Sequence, residues 1–156
     1  MSLLLLATTI TTALVGGIFF AFSTFIMGAL ARLESREGHA AMVSINRVVL
    51  NPWFFAAFFG AGLLCATCSV LVSVTDTNWQ PRAVMAGSVL YLLGCIAVTI
   101  AGNVPLNNRL DGVPPGGDGA DDLWMFYLRR WTLLNHIRTA ASLAAAGAFG
   151  LALMQT

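Results

Sequence analysis

The chain is 156 residues long, 58% hydrophobic and only 10% charged, with a formal net charge of +1. A soluble domain carries about a quarter charged residues, so this one has too little polar surface to cover a soluble globule, and an integral membrane protein is implied. All eight basic residues are arginines and they form no basic tract, which excludes the electrostatic footprint of a nucleic-acid binder.

In chain order, the uncharged run over residues 2–31 is too long for a signal-peptide core and has no basic segment ahead of it. It predicts a first membrane span over residues 3–31. The aromatic run "GIFFAFSTF" inside it reads as lipid-facing or core packing. "ESREGHAAM" follows, with His39 read as a surface residue, and a short interfacial helix is expected before span 2. Asn51-Pro52 has the form of an N-cap followed by proline at the first helical position, opening span 2 over residues 53–75. Asn78 to Pro81 predicts a tight turn into span 3, residues 83–102. Pro105 disfavours helix at Val104, so this span is expected to end near Asn103.

"DGVPPGGDGADD", residues 111–122, reads as a flexible loop. A helix is expected from about Asp122 in "LWMFYLRRW", lying at the surface with Trp124, Tyr127 and Trp131 at interfacial positions. Span 4 follows over residues 132–154. Each span has the roughly 20 apolar residues that cross a bilayer as helix, and the runs are too long for barrel strands. The expected fold is all-α: a single-domain, integral membrane four-helix bundle spanning residues 1–156. Cys65, Cys68 and Cys95 fall inside apolar spans; the Cys65–Cys68 pair sits mid-span with neither a helix N-terminus nor a nearby positive charge, and reads as small packing residues rather than a redox pair.

With four spans both termini share one side. The opposite side holds Arg32, Arg36, Arg47, Arg109, Arg129 and Arg130, with Arg138 close by, against Arg82 alone on the terminal side. The positive-inside rule puts the arginine-rich side in the cytoplasm and both termini outside it, for a multi-pass protein of the cell (inner) membrane. Small residues four apart, Ala13, Gly17 and Ala21 in span 1 and Ala140, Ala144 and Ala148 in span 4, suit close helix contacts, either within the bundle or across a homodimer.

The polar residues gather at the arginine-rich end. Asn46, Arg47 and Asn51 precede span 2, Asn103 and Asn107 end span 3, and Asn135, His136, Arg138 and Thr139 begin span 4. Along a helix, Asn135, Thr139 and Ser142 share a face, with Arg138 about 60° to one side and His136 about 100° to the other. The set is rich in amides and guanidinium, and no Asp or Glu lies within a predicted span. That argues against a proton-coupled exporter and suits stabilisation of an oxyanion. His136 is the side chain there whose ordinary pKa suits proton transfer near neutrality. Helix capping, interhelical hydrogen bonds and lipid-headgroup contacts are the bland alternatives for these residues. Two histidines without a nearby carboxylate or thiol make a poor zinc site, whereas one axial histidine can hold haem. There is no C-x-x-C-H, so any haem would be non-covalent haem b on His136.

The segments "AFSTFIMGAL" (21–30), "INRVVLNPWF" (45–54), "GNVPLNNRL" (102–110) and "WTLLNHIRT" (131–139), in this order on four spans, resemble the anthrone-oxygenase-like membrane proteins over nearly the whole chain. The resemblance implies oxidation of anthrone-like, lipophilic aromatic substrates. The family motifs match at Asn46, Arg47, Asn51, Pro52, Asn103, Pro105, Asn107, Trp131, Asn135, His136, Arg138 and Thr139.

Three functional expectations follow. In the first, a membrane oxidoreductase or oxygenase takes a lipophilic small molecule from the bilayer. There His136 acts as base, Asn135, Asn103 and Arg47 stabilise an enolate, and Asn46, Asn51, Asn107, Arg138, Thr139 and Trp131 bind substrate or cofactor. The second is a haem-binding protein with His136 as axial ligand. The third is a structural bundle whose polar end binds membrane lipids.

Overall fold

The computed structural model describes residues 2–75 and 79–155; of the expected turn from Asn78 to Pro81, Asn78 lies outside them. The described residues form five helices: α1 (Ser2–Leu30), α2 (Ser35–Val48), α3 (Pro52–Val74), α4 (Pro81–Asp111) and α5 (Ala120–Leu153). Helices α1, α3 and α4 are long and apolar enough to cross a membrane. Helix α5, with 34 residues, is about 51 Å long. Its polar stripe makes it less apolar than the other three, and it is held by packing rather than by composition alone. Helices α1, α3, α4 and α5 pack in a closed ring, each against two neighbours, and α2 lies across one end. This is the all-helical four-helix bundle expected, of multi-pass membrane character.

Local chemistry sets the boundaries. The Asn51 side chain accepts the Phe54 N–H at 3.0 Å and donates to the Val48 carbonyl at 3.0 Å, a complete cap ahead of Pro52. The helix expected before span 4 is present from Ala120 and runs into the span without a break, because no proline or glycine interrupts residues 120–146.

Helix α4 does not end near Asn103. It continues through Pro105 to Asp111. A π-helical turn over Thr99–Asn103 lies directly ahead of the proline. Its wider spacing moves the carbonyl that the proline ring would otherwise strike. A second π segment occupies Leu90–Ala97 of α4, and a third lies in α1 at Phe22–Ile26.

One half of the bundle holds a core of Leu5, Val15, Phe58, Cys65, Cys68, Tyr91, Cys95 and Phe149, with all three thiols free and buried. The closest helix approaches are at glycine: a Cβ on Gly94 would lie 2.5 Å from the Cβ of Ala141, and one on Gly87 2.9 Å from the Phe149 ring. The stripe through Gly17 and Ala144 faces outward instead, and Gly16 is the glycine of α1 that packs against α5. The other half, under α2, is built of Met27, Leu30, Met42, Leu110, Trp124, Tyr127 and Trp131.

His39 is not at the surface. It is buried in this second core, donating from Nε2 to the Leu110 carbonyl at 2.9 Å, with its ring parallel to that of Trp124. The sequence around it is polar, but α2 is amphipathic and turns His39 and Met42 inward.

Candidate functional site

A cavity of about 90 Å³ lies where α2 crosses the open end of the ring. Phe19 and Phe22 of α1, Phe54 of α3 and Trp131 of α5 supply aromatic walls, and Met42, Ile45 and Asn46 of α2, with Val49 just after it, supply the roof. Its polar points are Asn46, Thr99, Asn107 and Arg138. Leu50 and Val104 form an exposed apolar rim.

The distinctive element is Arg138. It is buried, yet no carboxylate pairs with it among the described residues. One terminal nitrogen donates to Asn135 Oδ1 at 2.7 Å and the other to Thr99 Oγ1 at 3.3 Å, while the buried Nε has no partner. The guanidinium carbon sits 4.1 Å from the centroid of the Phe19 ring and 5.0 Å from that of Trp131. A desolvated cation is costly without a counter-charge. The two aromatic faces recover about 2 kcal/mol or more each in such surroundings. A guanidinium has five N–H donors, so donors remain for a ligand that enters the cavity as an anion.

Asn135 fixes this cation. Its amide nitrogen donates to the Phe19 carbonyl at 2.8 Å and to Ser23 Oγ at 2.7 Å, which leaves Oδ1 aimed at Arg138. Ser23 and Thr139 hydroxyls lie 2.9 Å apart, and the Thr139 hydroxyl also donates to the Asn135 carbonyl. Two of the three π segments supply parts of this region, Phe22 and Ser23 from α1, and Thr99 and Asn103 from α4. Such turns recur at functional sites because they displace side chains and carbonyls from the regular helical register.

A second network lines the opposite side. The Tyr127 hydroxyl donates to Asn107 Oδ1 at 2.8 Å, the Trp131 indole N–H donates to the same oxygen at 2.8 Å, and Asn46 donates to Tyr127 at 3.3 Å. With its oxygen taken twice, Asn107 is oriented with its amide nitrogen free to donate.

The structure thus gathers Asn46, Asn107, Trp131 and Arg138 on one cavity, with Asn135 and Thr139 directly behind. Asn103 is buried nearby, donating to the Trp131 carbonyl at 3.3 Å, with its own oxygen unpartnered. Three candidates lie elsewhere. Asn51 is committed to its cap. Arg47 is exposed and paired with Asp111 at 2.7 Å. His136 is exposed on the outer face of α5, in a groove with Met27, Gly28 and Leu133, and does not line the cavity. Residues that sequence reasoning passed over are Phe19 and Phe22, hidden in a run that reads as packing, and Tyr127, Ser23 and Thr99. No local signal marks the last two, because it is the π turns that bring them in.

The sequence model of a protein family described as anthrone oxygenase matches residues 53–148. The matched stretch contains Thr99, Asn107, Trp131, Asn135 and Arg138, while the α2 roof and the α1 wall lie ahead of it. No curated protein and no solved structure matches the chain.

Proposed function

The chain belongs to the anthrone oxygenase family, and on that premise we propose that it is a membrane oxygenase for lipophilic aromatic ketones, which it binds as enolate oxyanions in the Arg138 cavity. The observation that carries this reading is a buried guanidinium with no counter-charge among the described residues, set between aromatic faces in a cavity open to an apolar rim.

The ketone enters from the bilayer past Leu50 and Val104, and its flat rings stack among Phe19, Phe22, Phe54 and Trp131. Its oxygen takes the free donors of Arg138, and Asn107 donates to a neighbouring polar group. Cationic donors held in a dry site stabilise developing negative charge strongly, and removing one such donor typically costs about 10²–10³ in rate. Here they favour the enolate over the ketone. Among the described residues the cavity lining holds no imidazole or carboxylate, so the carbon-bound proton passes to water at the open rim, and Arg138 supplies the driving force by stabilising the anion. The carbanion carbon then adds O2. The resulting hydroperoxide loses water, so that one CH2 group and one O2 yield one carbonyl and one H2O. His136, expected as base or haem ligand, lies outside the aromatic interior, and the geometry favours neither role.

The cavity, at about 90 Å³, is below the roughly 300–1,000 Å³ of drug-sized ligand sites. A three-ring substrate therefore requires the roof to lift, and α2 is tied down by only a few polar links: His39 to Leu110, Asn46 to Tyr127 and Arg47 to Asp111. The arginine excess at this end supports placing it in the cytoplasm, with the termini across the membrane.

The test is O2 uptake and quinone formation from an anthrone by purified protein. Arg138→Gln is expected to lower turnover by about 100-fold while the protein stays folded in detergent. Full turnover in that variant would overturn the oxyanion assignment.

A further inference from the structure

Outside the cavity, an open groove of about 690 Å³ lies between the end of α1 and the first half of α5. Its floor is Met27, Gly28 and Leu133, and a Cβ at Gly28 would meet no heavy atom within 4 Å. The floor is therefore an absence of side chain on an outward face, not a helix contact. Along its α5 edge stand Arg129, Thr132 and His136. Spaced by three and four residues, they form one row running about 10 Å along the axis. Arg129 is exposed and its charge is not neutralised by any carboxylate among the described residues, its Nε reaching only the Met125 carbonyl at 3.4 Å.

We propose that this groove is a binding site for one anionic phospholipid, seated with its phosphate on Arg129 and an acyl chain along Met27, Gly28 and Leu133. Charge complementarity commits the occupant. Arg129 marks the headgroup level, at the end of α1 where the apolar span stops. Thr132 and His136 lie one and two turns deeper and offer hydrogen-bond donors at the level of the ester oxygens, with apolar floor below. A polar row beside an apolar trough fits a molecule that changes from charged to polar to apolar over that same length. The site does not depend on the oxygenase reading.

The test uses native mass spectrometry of the protein in micelles doped with phosphatidylglycerol or phosphatidylcholine. The wild type should retain one phosphatidylglycerol at least fivefold more than phosphatidylcholine. Arg129→Gln should abolish that preference, and Arg130→Gln, on an adjacent exposed arginine outside the groove, should preserve it. Gly28→Leu adds a side chain to the trough from a position where its Cβ meets no neighbour and should lower retention of both lipids, with the protein remaining folded and monodisperse. Equal losses from Arg129→Gln and Arg130→Gln would reduce the effect to general surface charge and overturn the proposal. So would a Gly28→Leu protein that keeps its lipid but changes oligomeric mass, because the groove would then seat a second copy of the chain.

Discussion

The two halves of the bundle use the same helices and reach opposite ends. In the half toward the termini, the threonines of α1 are satisfied within their own helix. Thr8, Thr9, Thr11 and Thr12 each return a hydrogen bond to a carbonyl four residues earlier, and Tyr91 and Ser88 donate across to the Phe58 and Cys65 carbonyls of α3. Glycines at Gly87 and Gly94 bring α4 close to α5. In the half under α2, aromatic rings wall a cavity, and polar side chains bond across helices in chains that end with unused donors. A core filled by its own side chains makes a scaffold; a cavity with partly used donors makes a site.

That contrast can be tested by substitution in each half. The largest expected effect is on turnover. Arg138→Gln should cost about 100-fold, whereas Ser88→Ala, which removes one buried hydrogen bond in the scaffold half, should leave turnover within about twofold and lower stability by roughly 1 kcal/mol. If Ser88→Ala were as damaging to turnover as Arg138→Gln, the division between scaffold and site would fail.

Next comes packing. Gly94→Val forces a side chain into Ala141 and should destabilise by about 1–3 kcal/mol, measured as a lowered thermal midpoint in detergent. A midpoint equal to wild type would show that the helices separate easily there.

Tyr127→Phe tests the site from its second network. It removes the donor to Asn107 and the acceptor for Asn46, and should cost about 1–2 kcal/mol of stability together with a rise in KM, because Asn107 loses its orientation. A change in stability with kinetics untouched would confine Tyr127 to the core.

The smallest effect is expected at Arg47→Ala. Its partner Asp111 and Arg47 itself are largely exposed, so the pair contributes roughly 0–1 kcal/mol. Loss of activity in this variant would mean that the α2 clamp controls the cavity more than its exposure implies.

Several features were legible in the residues. The long uncharged runs specify membrane helices because an unpaired backbone cannot remain in lipid. Asn51-Pro52 specifies its cap because a short polar side chain followed by a ring without an N–H suits the first turn and little else. The polar stretches before span 2, after span 3 and at the start of span 4 announce their shared end of the bundle, because span order alone places them there. The stripe of Asn135, Thr139 and Ser142 points inward because polar groups avoid lipid.

What a linear reading left open is which of those residues meet. His136 and Arg138 are two positions apart, yet one is exposed and the other buried, since two residues on a helix are about 200° apart and only the packing of α1 and α4 decides which side is inside. His39 sits in polar sequence but is buried by the crossing of α2. Pro105 reads as a helix end, and the π turn ahead of it carries the helix onward to set Asn107 against Tyr127 and Trp131. Composition and periodicity determine that this chain crosses a membrane as helices with one polar end. Only the tertiary structure decides that one arginine there is buried with no counter-charge among the described residues, because a partner's absence is a property of everything that packs around it.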